Sequence, residues 1–240
     1  MKRKPAAASG ARSSRKSARP AKAVRRRESR ADLERRSAEI LKRLKTEYPN
    51  AHCELDYRTP YELLVATILS AQCTDARVNL VTPEFFRRWP TPRALAQAHE
   101  MEVQDVIRST GFFRNKTRSL LGMAAGLMER HEGDVPADMT ELRALPGVGR
   151  KTANVVLGNA FGINDGVTVD THVQRLSARL RLSTRLGPDK VEQDLMALIP
   201  REDWTLISHL LIWHGRRICI ARKPKCPECV VNDICPSARL

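Results

Sequence analysis

The 240-residue chain predicts an all-α protein. Three observations carry that expectation. Apolar residues recur at three- and four-residue intervals along the body, no segment alternates strictly, and threonine–proline pairs mark helix starts. A first helix is expected over Asp32–Tyr48, stopped by Pro49. Thr59-Pro60 reads as an N-cap followed by proline at the first helical position, where a missing N–H does no harm. The helix it opens, Pro60–Ala71, is apolar on nearly every side through Leu63, Leu64, Ala66, Ile68 and Leu69, which marks it as buried. Thr91-Pro92 repeats the start signal. Further helices are expected over Asp75–Trp89, Met101–Ser109, Lys116–Arg130, Arg150–Phe161, Thr171–Arg181, Asp189–Ile199 and Trp204–His214. No stretch is long and apolar enough to span a membrane.

Charge is distributed unevenly. The first 30 residues hold 12 Lys and Arg against one Glu, so they supply +11 of the net +15. This tail of Ala, Ser, Pro, Arg and Lys has almost nothing to bury and is expected to be disordered. Its charge suits phosphates and predicts steeply salt-dependent binding to nucleic acid. A targeting peptide is disfavoured, because Val24 is the tail's one large apolar residue and leaves it little hydrophobic face.

The run Leu145-Pro146-Gly147-Val148-Gly149-Arg150-Lys151-Thr152 is the most informative segment. Pro146 denies the preceding helix a continuation, while Gly147 and Gly149 permit positive φ and keep side chains out of the way. The result is a tight hairpin whose amide N–H groups point outward at the start of the next helix. Bare amides backed by the positive end of a helix dipole suit a phosphate. Lys151 falls in the first turn of that helix. A cation is misplaced there, which favours the free amine that a nucleophilic lysine needs. A phosphate-binding loop of the Gly-x-x-x-x-Gly-Lys kind is excluded, since the glycines are too close together and no strand precedes them. Downstream, Val167-Thr168-Val169-Asp170-Thr171-His172 delivers Asp170 to the start of another amphipathic helix. There a carboxylate caps the helix and is held in a fixed place.

Four of the six cysteines lie together as Cys219-x6-Cys226-x2-Cys229-x5-Cys235, interleaved with Pro224, Pro227 and Pro236. A reducing compartment, expected because no signal peptide precedes the domain, disfavours disulfides. On chemistry alone, structural zinc and a four-cysteine [4Fe–4S] cluster are about equally suitable. Cys53 and Cys73 are expected as small buried residues. His209 and His214 are expected to pack or lie at the surface.

Taken in order, Leu145–Ala153, Val169–His172 and the 6-2-5 cysteine spacing resemble the endonuclease III family of the helix-hairpin-helix superfamily, over about residues 31–236. The resemblance implies two helical lobes with a cleft between them. Residues 53–163 would form a helical barrel containing the hairpin, and residues 31–52 with 164–240 would form a second lobe. It implies a [4Fe–4S] cluster on Cys219, Cys226, Cys229 and Cys235, presenting Arg222, Lys223 and Lys225 to DNA. It also implies a base-excision glycosylase that removes oxidised pyrimidines through a Lys151 Schiff base, supported by Asp170, and then cleaves the abasic site by β-elimination. The expected partner is double-stranded DNA bearing damaged bases or abasic sites. The expected setting is a monomer at a bacterial-type cytoplasmic nucleoid, without a membrane. Leu145, Pro146, Gly147, Val148, Gly149 and Arg150 are expected to contact the DNA backbone. Gln72 and Phe112 are expected to fill the hole left by an extruded base, Phe112 standing where the family more often has leucine.

The stretch Phe161–Asp170 is one residue longer than the family pattern, and Gly166 is expected to absorb the insertion. A monofunctional adenine glycosylase relative shares the hairpin, the aspartate and the cysteine spacing. It lacks a lysine at the position of Lys151 and carries a further C-terminal recognition domain, which is not expected here, where Leu240 comes a few residues after Cys235. A non-enzymatic helix-hairpin-helix module is the other alternative, in which Lys151 would be only a phosphate contact.

Overall fold

A computed structural model describes residues 28–238, and the expectation for the basic tail falls almost wholly outside them. Among the described residues there are helices and turns and no strand. Eleven α-helices follow in order: α1 Arg30–Glu47, α2 Pro60–Leu69, α3 Asp75–Arg88, α4 Pro92–Ala96, α5 Glu100–Ile107, α6 Phe113–His131, α7 Met139–Arg143, α8 Arg150–Ala160, α9 Thr171–Arg179, α10 Pro188–Met196 and α11 Trp204–Arg217. None of them is long and apolar enough to cross a membrane.

Helix starts follow local chemistry. Thr59, Thr74 and Thr91 each turn a hydroxyl onto the N–H three residues on, at 3.2 Å in all three. The first helix starts two residues earlier than expected, because Ser29 accepts from the Asp32 N–H at 3.1 Å and Glu28 pairs with Arg36. The sequence assigns no bounds to the short α7 that precedes the hairpin. Asp138 creates it by capping the N–H groups of Thr140 and Glu141.

Burial divides the apolar residues into two cores. The first gathers Leu63, Leu64, Phe85, Leu120, Met123 and Val156 from α2, α3, α6 and α8. Eight of the ten α2 residues are buried, and α2 packs on α3, α6 and α8. Truncating a side chain such as Leu64 to alanine there costs about 2–5 kcal/mol. The second core gathers Ile40, Leu44, Val173, Leu176, Leu195 and Leu211 from α1, α9, α10 and α11.

Polar ties cross between the cores. Arg150 on α8 donates to Glu192 on α10 at 2.8 Å, and Arg216 on α11 donates to Asp75 on α3 at 2.7 Å. His209 Nε2 on α11 lies 2.7 Å from Asn159 Oδ1 on α8. Beyond α11 the chain runs through two 3₁₀ turns, Cys226–Glu228 and Asn232–Ile234, and among the described residues there Val231 is the one fully buried apolar side chain.

Candidate active site and cluster site

The hairpin rests on a seat of small residues along one face of α6. A Cβ added at Gly147 would lie 2.5 Å from the Ser119 Cβ, one at Gly122 would lie 3.0 Å from the Pro146 Cβ, and one at Gly126 would lie 3.0 Å from the Leu145 Cδ2. Of the two hairpin glycines, only Gly147 uses the left-handed backbone, with φ +80°; Gly149 is extended at φ −89°. A Cβ at Gly149 would meet nothing within 4 Å, so its smallness leaves open space on the outer side.

Leu145 and Val148 are buried and anchor the turn, and the Val148 N–H is engaged by the Leu145 carbonyl at 3.1 Å. Pro146, Gly147 and Gly149 are exposed. No side chain caps α8, so among the described residues the first amides of that helix are free of protein partners. Arg150, at the start of α8, places its guanidinium on buried Glu192.

Lys151 and Asp170, 19 positions apart in sequence, line one open cleft of about 910 Å³ with Asp75, Gln72, His172 and Arg216. A smaller recess of about 100 Å³ continues behind Lys151 and Asp170 toward Thr67, Ser70 and His209. Asp170 is held from several directions. Val167 and Val169 are buried, the Thr168 N–H donates to Ser208 at 3.0 Å, and Asp170 Oδ1 accepts from the Val173 N–H at 2.8 Å. The cap uses Oδ1 and leaves the second carboxylate oxygen to the cleft.

The expected slack at Gly166 is absent: that residue is buried, with no room for a Cβ beside Glu192. Gly162 supplies the freedom instead, at φ +67° with nothing within 4 Å.

His172 stands next to this carboxylate in the cleft. Arg175 can only donate, so its contact with His172 Nδ1 at 3.1 Å leaves the neutral ring's proton on Nε2. Asp75, the first residue of α3, is a site residue the sequence reading passed over. Burial raises its carboxyl above the usual aspartate range, with the Lys151 charge pulling it back and the Asp170 charge adding to the rise. Arg216 joins Asp75 to Glu54 across the cleft. No local pattern announces that bridge, since its partners are 141 residues apart.

Gln72 is exposed at the cleft rim with φ 54°. Phe112 is 62% exposed with φ 48°, while Phe113 packs against the first core and stacks with Arg108 and Arg114. The adjacent phenylalanines therefore divide, one packing and one projecting outward.

The four C-terminal cysteines line a separate cavity of about 180 Å³ with Leu176, Arg179 and His214. Among the described residues no three His, Cys, Asp or Glu side chains close on a single ion. Thiols spread around a shared space fit a multi-atom cluster better than the tight tetrahedron of zinc. Polar groups already aim at these sulfurs. Arg179 lies 3.3 Å from Cys219 Sγ, and His214 Nε2 lies 3.3 Å from Cys229 Sγ. The other His214 nitrogen lies 2.9 Å from the Tyr48 hydroxyl, and burial pushes the ring's pKa down to about 4. Neither His209 nor His214 is a surface residue. Arg175 and Arg179 also donate to the carbonyls of Gly215, Cys219, Ile220 and Ala221, at the end of α11 and in the segment that follows it. Arg222, Lys223 and Lys225 are exposed on the same loop.

Residues 65–201 match the family model of the HhH-GPD superfamily base excision DNA repair proteins, and residues 219–235, from first cysteine to last, match the iron–sulfur binding domain of endonuclease III. Endonuclease III of Synechocystis sp. is 56% identical over 209 residues, covering 87% of this chain and 95% of the relative. The chain belongs to the endonuclease III family. Endonuclease III of Escherichia coli strain K12 is 41% identical over 197 residues, 82% of this chain and 93% of the relative. A trapped endonuclease III–DNA covalent intermediate superposes with TM-score 0.82 at 43% identity, covering 85% of this chain and 96% of that one. As a member of the endonuclease III family, the protein is a DNA glycosylase and abasic-site lyase of base-excision repair. It binds DNA and carries a [4Fe–4S] cluster.

Proposed function

We propose that this protein removes oxidised pyrimidines from duplex DNA through Lys151, and that Asp170 supports the charge that develops on the sugar. The observation that carries the reading is the shared cleft of Lys151 and Asp170, each fixed at a helix start. The Lys151 amine attacks C1′. The C1′–N bond breaks, its electron pair leaves with the base, and the attacking nitrogen gives up a proton. The C1′–O4′ bond then opens, O4′ takes a proton, and the nitrogen lone pair closes the protonated Schiff base on the ring-opened sugar. The free oxygen of Asp170 faces the cationic sugar during that exchange. The imine acidifies the C2′ proton, whose loss expels the 3′ phosphate and cuts the strand. The groups that line the cleft can hold or relay these protons; Asp75, with its raised pKa, is among them.

Three further roles follow from placement. The bare amides at the start of α8 grip a backbone phosphate, and exposed Arg222, Lys223 and Lys225 add charge along the duplex. Gln72 and Phe112 fill the space of the extruded nucleotide. Cys219, Cys226, Cys229 and Cys235 hold the cluster, which when bound folds a segment too short for its own core. The protein acts as a monomer in the cytoplasm.

Borohydride trapping on a duplex carrying one thymine glycol tests the chemistry. A covalent protein–DNA adduct that vanishes in Lys151→Ala is expected. Base release without an adduct would overturn the Schiff base, and an adduct that survives Lys151→Ala would place the nucleophile elsewhere.

A further inference from the structure

Burying a lone ammonium is unfavourable, because the charge loses its water. Lys116, in the first turn of α6, is nevertheless 5% exposed. Its Nζ donates to the carbonyls of Leu69 and Thr110, both at 2.8 Å. Both acceptors end helical segments. Leu69 is the last residue of α2, and Thr110 is the last residue of the 3₁₀ turn Arg108–Thr110 that continues α5. The negative ends of two helical segments thus converge on one cation.

Each of those ends runs directly into a strained residue. Gln72 follows Leu69 by three positions, and Phe112 follows Thr110 by two; both are non-glycine residues in the left-handed region. Such a backbone is unfavourable for a residue with a Cβ and persists only where the surroundings impose it. An apolar side chain of similar volume would fill the site without burying charge. What the ammonium alone supplies is a simultaneous hold on both carbonyls.

We infer that Lys116 is a positioning residue that fixes the Gln72 and Phe112 loops relative to each other, so that both enter the duplex as one device. The inference rests on the reading of Gln72 and Phe112 as fillers. It assigns Lys116 no part in the bond-breaking steps at Lys151.

The test compares the full-length holoprotein with Lys116→Met, which keeps the stem and removes the donors, and with Lys116→Arg, which keeps the charge. One substrate is a duplex holding an abasic analogue opposite 2-aminopurine, whose fluorescence reports the estranged base. The others are an abasic site in duplex and in single-stranded DNA, the latter having no hole to fill. Lys116→Met is expected to lose the fluorescence change and to raise KM on duplex about tenfold or more, the scale of losing hydrogen bonds from a charged donor. Its single-strand cleavage stays near the parent rate, and Lys116→Arg recovers part of the duplex loss. Gln72→Ala and Phe112→Ala should each weaken duplex cleavage in the parent but add little on the Lys116→Met background.

Unchanged duplex behaviour of Lys116→Met, equal loss on single strands, or fully multiplicative loop effects would each overturn the inference. Loop variants that are themselves silent on duplex would sink the filler reading, and this inference with it. If Lys116→Met fails to fold by circular dichroism and thermal melting, Lys116→Gln takes its place, since it keeps a donor for one carbonyl.

Discussion

Two helix N-termini open on the same cleft and are finished in opposite ways. Helix α8 has a glycine at its cap and no side chain over its first amides, whereas α9 has Asp170 there, with one oxygen on the Val173 N–H. The physics of the two ends is the same, a positive dipole end with orphan donors. The fill decides the chemistry. An empty cap invites an anion from outside, which in duplex DNA is a phosphate. A carboxylate cap has already supplied the anion, and its second oxygen is a fixed charge for a reacting centre. The contrast extends to nearby basic groups. Lys151 in the first turn of α8 has no protein anion at its own cap, while His172 in the first turn of α9 is oriented by Arg175.

The largest effects should come from the filled end. Asp170→Asn preserves a good cap and removes the charge. Its expected phenotype is a loss of about 10²–10³ in single-turnover base excision with little change in melting temperature. Asp170→Ala should show the same catalytic loss plus about 1 kcal/mol of stability. If the Asn variant kept full activity, Asp170 would be only a cap and the contrast between the helices would vanish.

Next come the two hairpin glycines, which look alike in sequence. Gly147→Ala puts a Cβ at φ +80° against Ser119 and should destabilise the fold by about 1–3 kcal/mol in urea titration. Gly149→Asp enters open space at an ordinary φ, making α8 resemble α9. Stability should hold, while affinity for undamaged duplex falls about tenfold, because the new carboxylate occupies the amides and repels phosphate. Equal stability losses in the two variants would erase the distinction drawn between them.

What the sequence revealed, and what it left hidden, follows from sequence separation. Thr59-Pro60, the Pro146–Gly149 turn, the Asp170 cap and the cysteine spacing are local signals, each set within a few residues. The buried character of α2 was equally readable from its apolar run. The seat under the hairpin was not, because Ser119, Gly122 and Gly126 read as ordinary helix interior until Leu145 and Pro146 land on them. The same holds for Arg216 with Asp75, Arg150 with Glu192 and His214 with Cys229. The first two join side chains through the tertiary fold, and the third returns a helix end onto its own loop. Gly166 shows the converse: its place in a loop suggests backbone freedom, whereas what the structure uses is its small size beside Glu192 and Asn154.

The smallest effect concerns how each helix is braced from behind. Near its C-terminal end α8 leans on α11 through His209, whose Nε2 must donate to Asn159 Oδ1, since the Asn159 amide nitrogen donates to Val155. Burial, with a smaller push from His52, lowers the His209 pKa to about 4. The folded state therefore binds fewer protons than the unfolded chain, whose histidines titrate near ~6.5. This stabilisation is complete above about pH 6.5 and is lost as the pH falls toward the folded value. Helix α9 is braced on α11 by Arg175, a cation at every relevant pH, so acid should loosen the α8 side first. His209→Gln keeps a donor for Asn159 and removes the titration. Between pH 7.5 and pH 5.5 the parent should lose about 1 kcal/mol more than the variant in urea midpoint, the contribution of His214 being common to both. Identical losses would mean that the imidazole is not held neutral, and that the two braces respond alike to acid.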